Sequence, residues 1–133
     1  MSNPLTDDET EQLLRVCRTA IGDGLRSVTY FSPNEYEHVY LRDDLERGTD
    51  PLSFVENERG GFSSQRTYEW SELGEYRYTM RAFENGYLVR VIAGTHGAYV
   101  TTDSVTMDRF NEVAEAISGV LEGIAAESER HVQ

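Results

Sequence analysis

The sequence predicts an α+β domain, a single antiparallel sheet of about five strands with flanking helices, in the order α-β-β-α-β-β-β-α. Three observations lead to this prediction. Apolar residues recur at helical spacing near both ends of the chain. Between them lie short runs rich in β-branched and aromatic residues, which favour strands. Asn85-Gly86 separates two alternating runs, and this is the strongest short-range signal of a hairpin.

The chain begins with a helix and a strand. Thr6 and Glu9 match a capping box, so the first helix starts after Thr6. Apolar residues follow at helical spacing as far as Ile21, and Gly22 ends the helix. Residues 25–31 are rich in β-branched and aromatic side chains and predict the first strand.

The next segment is open to two interpretations. Residues 32–35 (Ser-Pro-Asn-Glu) either cap a helix or form a turn, so residues 33–47 are either helical or a returning strand. The alternation and the Tyr/Val content of residues 36–42 favour the strand. Asp50-Pro51 then begins a second helix, which Gly60-Gly61 breaks or ends. Residues 67–74 form a polar linker that carries the only tryptophan, Trp70.

The C-terminal half predicts three consecutive strands and a helix. A two-residue turn at Asn85-Gly86 pairs Arg81 with Arg90 across the hairpin. A second turn at residues 94–97 leads into a strand at residues 98–102, which places Val100 beside Val91. The final helix spans about residues 106–125, and residues 127–133 form a flexible tail. Residues 1–133 therefore make a single domain with its core at about residues 6–126.

The charge of the chain indicates its solvent. The chain contains no lysine, and its 12 basic residues are arginines set against 24 acids, for a net charge of −12. Such a charge destabilises a compact chain by self-repulsion. Molar salt removes most of that repulsion, because it shortens the screening length to about 3 Å. An acid excess without lysine therefore predicts a halophilic protein that works in a salt-filled cytoplasm.

Several function classes are disfavoured. A Walker-type phosphate loop and a Schiff base both need lysine, which is absent. The net negative charge disfavours nucleic-acid binding, and no apolar stretch reaches the roughly 20 residues of a membrane span. The N-terminus has no signal-peptide pattern, which agrees with a cytoplasmic location. The three histidines lack metal-ligand spacing, and Cys17 lies on the apolar face of the first helix. We expect no catalytic residues, no metal, no cofactor and no enzymatic activity.

The arginine pair of the hairpin is the sharpest local feature. Like charges directly opposite each other in an antiparallel pair are unfavourable, so an acid is expected between or above Arg81 and Arg90. The two charges are either compensated by an internal carboxylate from a covering helix, or simply by solvation in concentrated salt. Alternatively, they bind an anion or an acidic partner surface. Phe83, Leu88 and Ile92 lie on the same predicted face. Because arginine and aromatic residues are enriched in protein interfaces, these five residues form the candidate binding or interface site.

Two segments carry a resemblance to known proteins. Tyr40-Leu41-Arg42-Asp43-Asp44-Leu45 and Arg81-Ala82-Phe83-Glu84-Asn85-Gly86-Tyr87-Leu88-Val89-Arg90 resemble a small family of haloarchaeal proteins for which no activity is known. The order of elements is also similar to that of profilin-like and roadblock-type domains. The resemblance implies a host and a fold but no activity. Roadblock-type proteins commonly form dimers through sheet edges and helix faces, and by analogy with them a partner would be a GTPase or a signalling complex.

The resulting hypothesis is a small non-enzymatic interaction or regulatory domain that forms a homodimer. Its working surface would be the face that carries the two arginines, or the terminal helices. The alternative is a sensor that holds a small anionic ligand in a groove lined by tyrosine and arginine. An enzyme is the least favoured of the three, because the sequence contains no recognisable nucleophile–base pair or metal cluster.

Overall fold

The computed structural model describes residues 4–45 and 51–132, with side chains at residues 4–45 and 52–128. Its helices and strands follow the predicted order, and Gly60 divides the second predicted helix into two. In chain order the elements are α1 (Asp7–Ile21), β1 (Leu25–Phe31), β2 (Tyr36–Leu41), α2 (Pro51–Arg59), α3 (Gly61–Ser64), β3 (Thr79–Phe83), β4 (Gly86–Ala93), β5 (His96–Thr102) and α4 (Met107–Val132).

One antiparallel sheet contains all five of these strands, in the spatial order β2-β1-β5-β4-β3. The predicted fold class is therefore confirmed. β2 also decides the ambiguous segment, because Tyr36 pairs with Phe31 across the hairpin as a returning strand. The predicted cap of the second helix, Asp50, lies outside the described residues.

Local chemistry explains where α1 begins. The backbone N–H of Glu9 donates a hydrogen bond to Oγ1 of Thr6 at 3.1 Å, and the N–H of Thr6 donates to Oε1 of Glu9 at 2.9 Å. Both bonds of the predicted capping box are thus present, and they satisfy amide groups that the first helical turn leaves unpaired.

The helices cover the two faces of the sheet unequally. α1 and α4 pack against each other and bury the larger core, whose sheet side includes Val28, Val89 and Val100. α2 and α3 lie on the opposite face over a smaller cluster, which includes Phe31 and Leu88. The smaller helical layer leaves part of its sheet face open, and a groove lies on that face.

The register of the β3–β4 hairpin differs from the prediction. Arg81 pairs with Leu88, and Thr79 pairs with Arg90, so the two arginines are not directly opposite. The turn residues are Glu84-Asn85, and Gly86 belongs to β4. The reason is tertiary, because a Cβ atom at Gly86 would overlap the carbonyl oxygen of Thr102 in β5. The glycine is therefore needed where β5 comes close rather than in the turn itself.

The change of register moves no side chain to the wrong face. Because the pairing slips by an even number of positions, each residue keeps the orientation that the alternation predicts. The same applies to the β4–β5 hairpin, where Val100 pairs with Val89 rather than with Val91.

The last helix is longer than predicted, since α4 continues to Val132 instead of ending near Ala125. No glycine or proline interrupts residues 125–132, so nothing in the local sequence stops the helix where its apolar stripe ends. The flexibility of residues 127–133 stays a prediction.

Candidate interaction surface

A single carboxylate joins both arginines of the hairpin. Glu58 of α2 is 2% exposed, and its Oε2 accepts a hydrogen bond from Nε of Arg81 at 2.9 Å. Its Oε1 accepts one from a terminal nitrogen of Arg90 at 3.1 Å. Arg90, which is 4% exposed, also donates to Oγ1 of Thr79 at 2.8 Å. The predicted acid is thus present, and it is the internal carboxylate of a covering helix.

The backbone of α3 completes the enclosure of Arg90. A Cβ atom at Gly61 would lie 2.5 Å from Cζ of Arg90, so the guanidinium packs directly against the glycine backbone. α2 ends at Arg59 and α3 begins at Gly61, and Glu58 and Gly61 both contact the same guanidinium. A planar cation held by a carboxylate and a hydroxyl, with a backbone above it, has a fixed orientation. Arg90 therefore fastens the smaller helical layer to the sheet.

The five predicted site residues lie on one face but differ in accessibility. Leu88 and Arg90 are buried, and Ile92 is half-buried. Arg81 keeps part of its side chain in solvent, and Phe83 is 57% exposed. The accessible part of the predicted surface is therefore the outer strand β3. Binding of a partner at these residues stays a prediction.

β3 forms a free edge of the sheet, because it pairs with β4 on one side only. Its residues Met80, Ala82 and Phe83 are exposed. Residues 79–102, which include the three strands from β3 to β5, contain one acidic residue, Glu84. Since the whole chain contains 24 acids, this edge is unusually poor in carboxylates. β3 itself contains no carboxylate, and Arg81 is its one charged residue.

A groove of about 470 Å³ opens beside Phe83 on the same face of the sheet. Phe54 of α2 and Tyr99 of β5 contribute aromatic walls, and Arg26 and Asp44 are among its charged lining residues. The lining includes hydroxyl groups, among them those of Ser27 and Thr101, whose oxygens are 2.5 Å apart.

Burial governs the titratable groups of the groove. It raises the pKa of the Tyr99 hydroxyl, an effect that a hydrogen bond with Thr29 partly opposes. Burial also lowers the pKa of His38, whose Nδ1 lies 3.0 Å from Oγ1 of Thr29. Both side chains therefore favour their neutral forms, and the groove offers neutral hydrogen-bonding groups between aromatic walls.

The charged groups at the end of the groove are paired with each other. Arg26 donates to Oδ1 of Asp103 at 2.9 Å, and Arg42 donates to Oδ2 of the same carboxylate at 2.8 Å. Arg42 also donates to Oδ1 of Asp44 at 2.5 Å. Hydrogen bonds from Arg42 and then Arg26 hold the pKa of Asp103 below its usual range. The arginines here serve mainly to connect the strand ends, which limits their availability to an anionic ligand.

Two exposed residues were not among the predicted site residues. Trp70 is 97% exposed and Leu73 is 88% exposed, both in the linker that leads into β3. Trp70 also has a φ of 69°, in the left-handed region that large side chains rarely adopt. The available sequence signal was a lone tryptophan in an otherwise polar segment.

The remaining candidate residues of the sequence are Cys17 and the potential metal ligands. Cys17 is buried, and burial raises the pKa of its thiol to about 12, which makes it a poor nucleophile. Among residues 4–45 and 51–132, no three histidine, cysteine or carboxylate side chains are grouped to hold a metal ion. Within the same ranges, no helix combines the length and the hydropathy needed to cross a bilayer.

Comparison with known proteins identifies the family and supports the fold. The model of a domain family of unknown function, DUF7522, matches residues 11–122. The chain belongs to this family. Among curated proteins, no match is found.

Solved structures with the same fold share little sequence with this DUF7522 protein. The gliding protein MglB from Thermus thermophilus superposes with a TM-score of 0.62 at 12% identity, covering 92% of this chain and 99% of that one. An MglB with a tetrameric arrangement gives 0.62 and 12%, covering 93% and 99%. A roadblock/LC7 domain from Streptomyces avermitilis gives 0.57 and 13%, covering 93% and 99%. The expected roadblock-like fold is thereby confirmed.

Proposed function

We propose that this DUF7522 protein is a small, non-enzymatic interaction or regulatory domain. It forms a homodimer through the β3 edge and works in a salt-rich cytoplasm. The observation that carries the proposal is the exposed, carboxylate-poor edge of β3, with Met80, Ala82 and Phe83 in solvent. Unpaired strand edges present backbone donors and acceptors that readily pair with another strand.

The residues of β3 do little to prevent such pairing. Natural edge strands are commonly blocked by lysine, proline, a bulge or an inward-pointing charge. β3 reads Thr-Met-Arg-Ala-Phe, and the guanidinium of Arg81 is engaged by Glu58. Two copies of one edge can pair antiparallel about a two-fold axis, so the strand is complementary to itself. These features support a second copy as the primary partner.

Charge supports the same location. Two chains that each carry a net charge of −12 repel each other unless their acidic surfaces stay apart. The β3 edge allows close approach without placing carboxylates opposite one another, because Glu84 is the single acid in residues 79–102. Concentrated salt would screen the remaining repulsion.

The likeness to MglB with a tetrameric arrangement supports self-assembly by analogy of fold. By the same analogy, a second partner would be a signalling protein or a GTPase. Arg81 and Phe83 would contribute to that surface, since both remain accessible beside the free edge.

Light scattering during size-exclusion chromatography tests the dimer. The measurement is made in about 2 M KCl, where charge repulsion between the chains is largely screened. We expect a mass of two chains for the wild type and of one chain for Ala82→Lys, because a lysine on an edge strand opposes pairing with a second strand. Thr19→Lys, at an exposed position of α1, is the matched control and should remain dimeric. A monomeric wild type at all accessible concentrations would contradict the dimer.

A second candidate function, a small-ligand sensor, is favoured by the groove beside Phe83. Its volume of about 470 Å³ lies within the range of known ligand sites, roughly 300–1,000 Å³. Because Arg26 is already paired with Asp103, an uncharged ligand fits the lining better than an anion. Thermal-shift measurements with nucleotides, carboxylates and neutral aromatic metabolites test this candidate, since a bound ligand raises the melting temperature.

A further inference from the structure

We propose that Trp70 and Leu73 of one protomer dock into the groove beside Phe83 of a second copy of this chain. The inference rests on the proposed dimer and names a second, reciprocal contact within it. It assigns a role to the most exposed large apolar residues of the described chain and to the apolar groove.

Trp70 has the features of an interface anchor. Its side chain is almost wholly in solvent, and its backbone adopts a conformation that is unfavourable for a large residue. Tryptophan is enriched among the residues that dominate binding energy at interfaces. Exposure of Trp70 and Leu73 is least favourable in concentrated salt, because salts that are excluded from protein surfaces strengthen apolar burial.

The groove suits an indole ring. Phe54, Phe83 and Tyr99 supply aromatic walls, and aromatic rings pack favourably in offset or edge-to-face arrangements. An indole carries one N–H donor and needs an acceptor when it is buried. The hydroxyl oxygens of Ser27 and Thr101 are acceptors in the lining of the same groove.

The topology places the linker of a partner near this groove. In an antiparallel pair of β3 edges, Thr79 of one copy lies toward the Phe83 end of the other. The residues that precede Thr79 therefore continue past the end of the strand where the groove opens. Because the two-fold axis of such a pair is perpendicular to the sheet, the like faces of both sheets lie on the same side.

The length of the linker is sufficient for this contact. Eight residues lie between Trp70 and Thr79, which allows a reach of at most about 30 Å. Within one chain, the linker enters β3 at Thr79, whereas Phe83 is at the far end of the strand. The geometry thus favours the groove of the partner over the groove of the same chain.

Charge distinguishes this groove from the second one. Trp70 and Leu73 lie among three carboxylates, Glu69, Glu72 and Glu75. The groove between α4 and the linker, of about 630 Å³, is lined by three carboxylates and one cation, Arg77, so its net charge is negative and would repel them. The groove beside Phe83 has Arg26 in its lining and Asp44 as its one carboxylate, so it receives an acidic linker with less repulsion.

The single tryptophan makes the inference directly measurable. Trp70 fluorescence and its quenching by acrylamide would be recorded across protein concentration in about 2 M KCl, where charge effects are largely screened. We expect the emission to shift to shorter wavelength and the quenching constant to fall several-fold as the dimer forms. The Ala82→Lys monomer should keep a fully quenchable Trp70.

Two variants locate the site. Trp70→Ala should raise the dimer dissociation constant by about tenfold or more, as expected for an interface anchor. Phe54→Ala, which removes a wall of the groove, should restore acrylamide access to Trp70. Tyr36→Ala is the matched control, because Tyr36 is as exposed as Phe54 but does not line the groove, and it should leave the quenching unchanged.

Each outcome separates this inference from the proposed dimer. A dimer in which Trp70 stays as accessible as in the monomer overturns the docking and leaves the β3 pairing intact. A protein that is monomeric at every concentration overturns the dimer and the docking together. A protected Trp70 that Phe54→Ala does not expose overturns the assignment to this groove.

Discussion

Removal of the carboxylate of Glu58, on α2, should destabilise the fold strongly. Glu58→Ala leaves the guanidinium of Arg90, 4% exposed, without its ionic partner. The loss of one member of a buried ion pair costs about 3–5 kcal/mol, because the remaining charge is neither paired nor solvated. Stability of a domain is about 5–15 kcal/mol in total, so the change removes a large share of it.

The expected size of the effect follows from the burial of each partner. Arg81→Ala should cost about 1 kcal/mol or less, because its side chain is partly in solvent and its pairing with Glu58 is screened. Glu58→Gln keeps the shape and one acceptor oxygen, and should cost about 1.5–3 kcal/mol. The double variant Glu58→Leu/Arg90→Met removes both buried charges and should recover most of the loss.

Urea denaturation in KCl, followed by circular dichroism, measures these differences. With a slope of about 2 kcal/mol per molar urea, Glu58→Ala should lower the midpoint by about 1.5–2.5 M. The reasoning would be refuted if Glu58→Ala and Arg81→Ala had equal midpoints, or if the double variant were less stable than Glu58→Ala alone.

Three further predictions concern packing, protonation and thiol access. Gly61→Ala should destabilise the fold by about 1–3 kcal/mol, because the added methyl group overlaps the guanidinium of Arg90. Gly119→Ala should stabilise the fold by about 0.5–1 kcal/mol, because a Cβ atom there meets nothing within 4 Å. Equal urea midpoints for the two variants would contradict the packing argument. Burial lowers the pKa of His38 and His96 below the ordinary 6.5. The unfolded chain therefore binds protons more readily than the folded one, and the urea midpoint should fall as the pH drops from about 7.5 to 5.5. Cys17, with its pKa raised to about 12, should react with a thiol reagent in urea but hardly in the native state, and rapid native labelling would show that α1 opens.

Alternation along the strands was a sound guide to the faces of the sheet, because burial depends on the parity of a position. The register was harder to predict. Asn85-Gly86 is the preferred turn dipeptide, yet the close approach of Thr102 places Gly86 in β4. A contact between residues so distant in sequence is not visible in the local pattern.

The candidate site was predictable in kind but not in detail. Two arginines on one face required an acid, but with 24 acids in the chain the sequence could not single out Glu58. Glu58 reaches both arginines because α2 packs over this face of the sheet, and the local sequence does not specify that packing. The exposure of Trp70 likewise depends on the path of the linker, and a lone tryptophan in a polar segment is equally compatible with burial.

The pairing of β1 with β5 in the middle of the sheet has a consequence for how the chain folds. Its partners are far apart in sequence, as with Val28 and Val100, so closing the sheet carries the entropy loss of a long loop. The hairpins β1–β2 and β3–β4–β5 need only local contacts and should form earlier. In pulse-labelled hydrogen exchange during refolding, amides of β3 and β4 should be protected before those between β1 and β5. Until β1 pairs with β5, the folding chain carries four strand edges instead of two. At that stage it is most prone to pairing with the wrong strand.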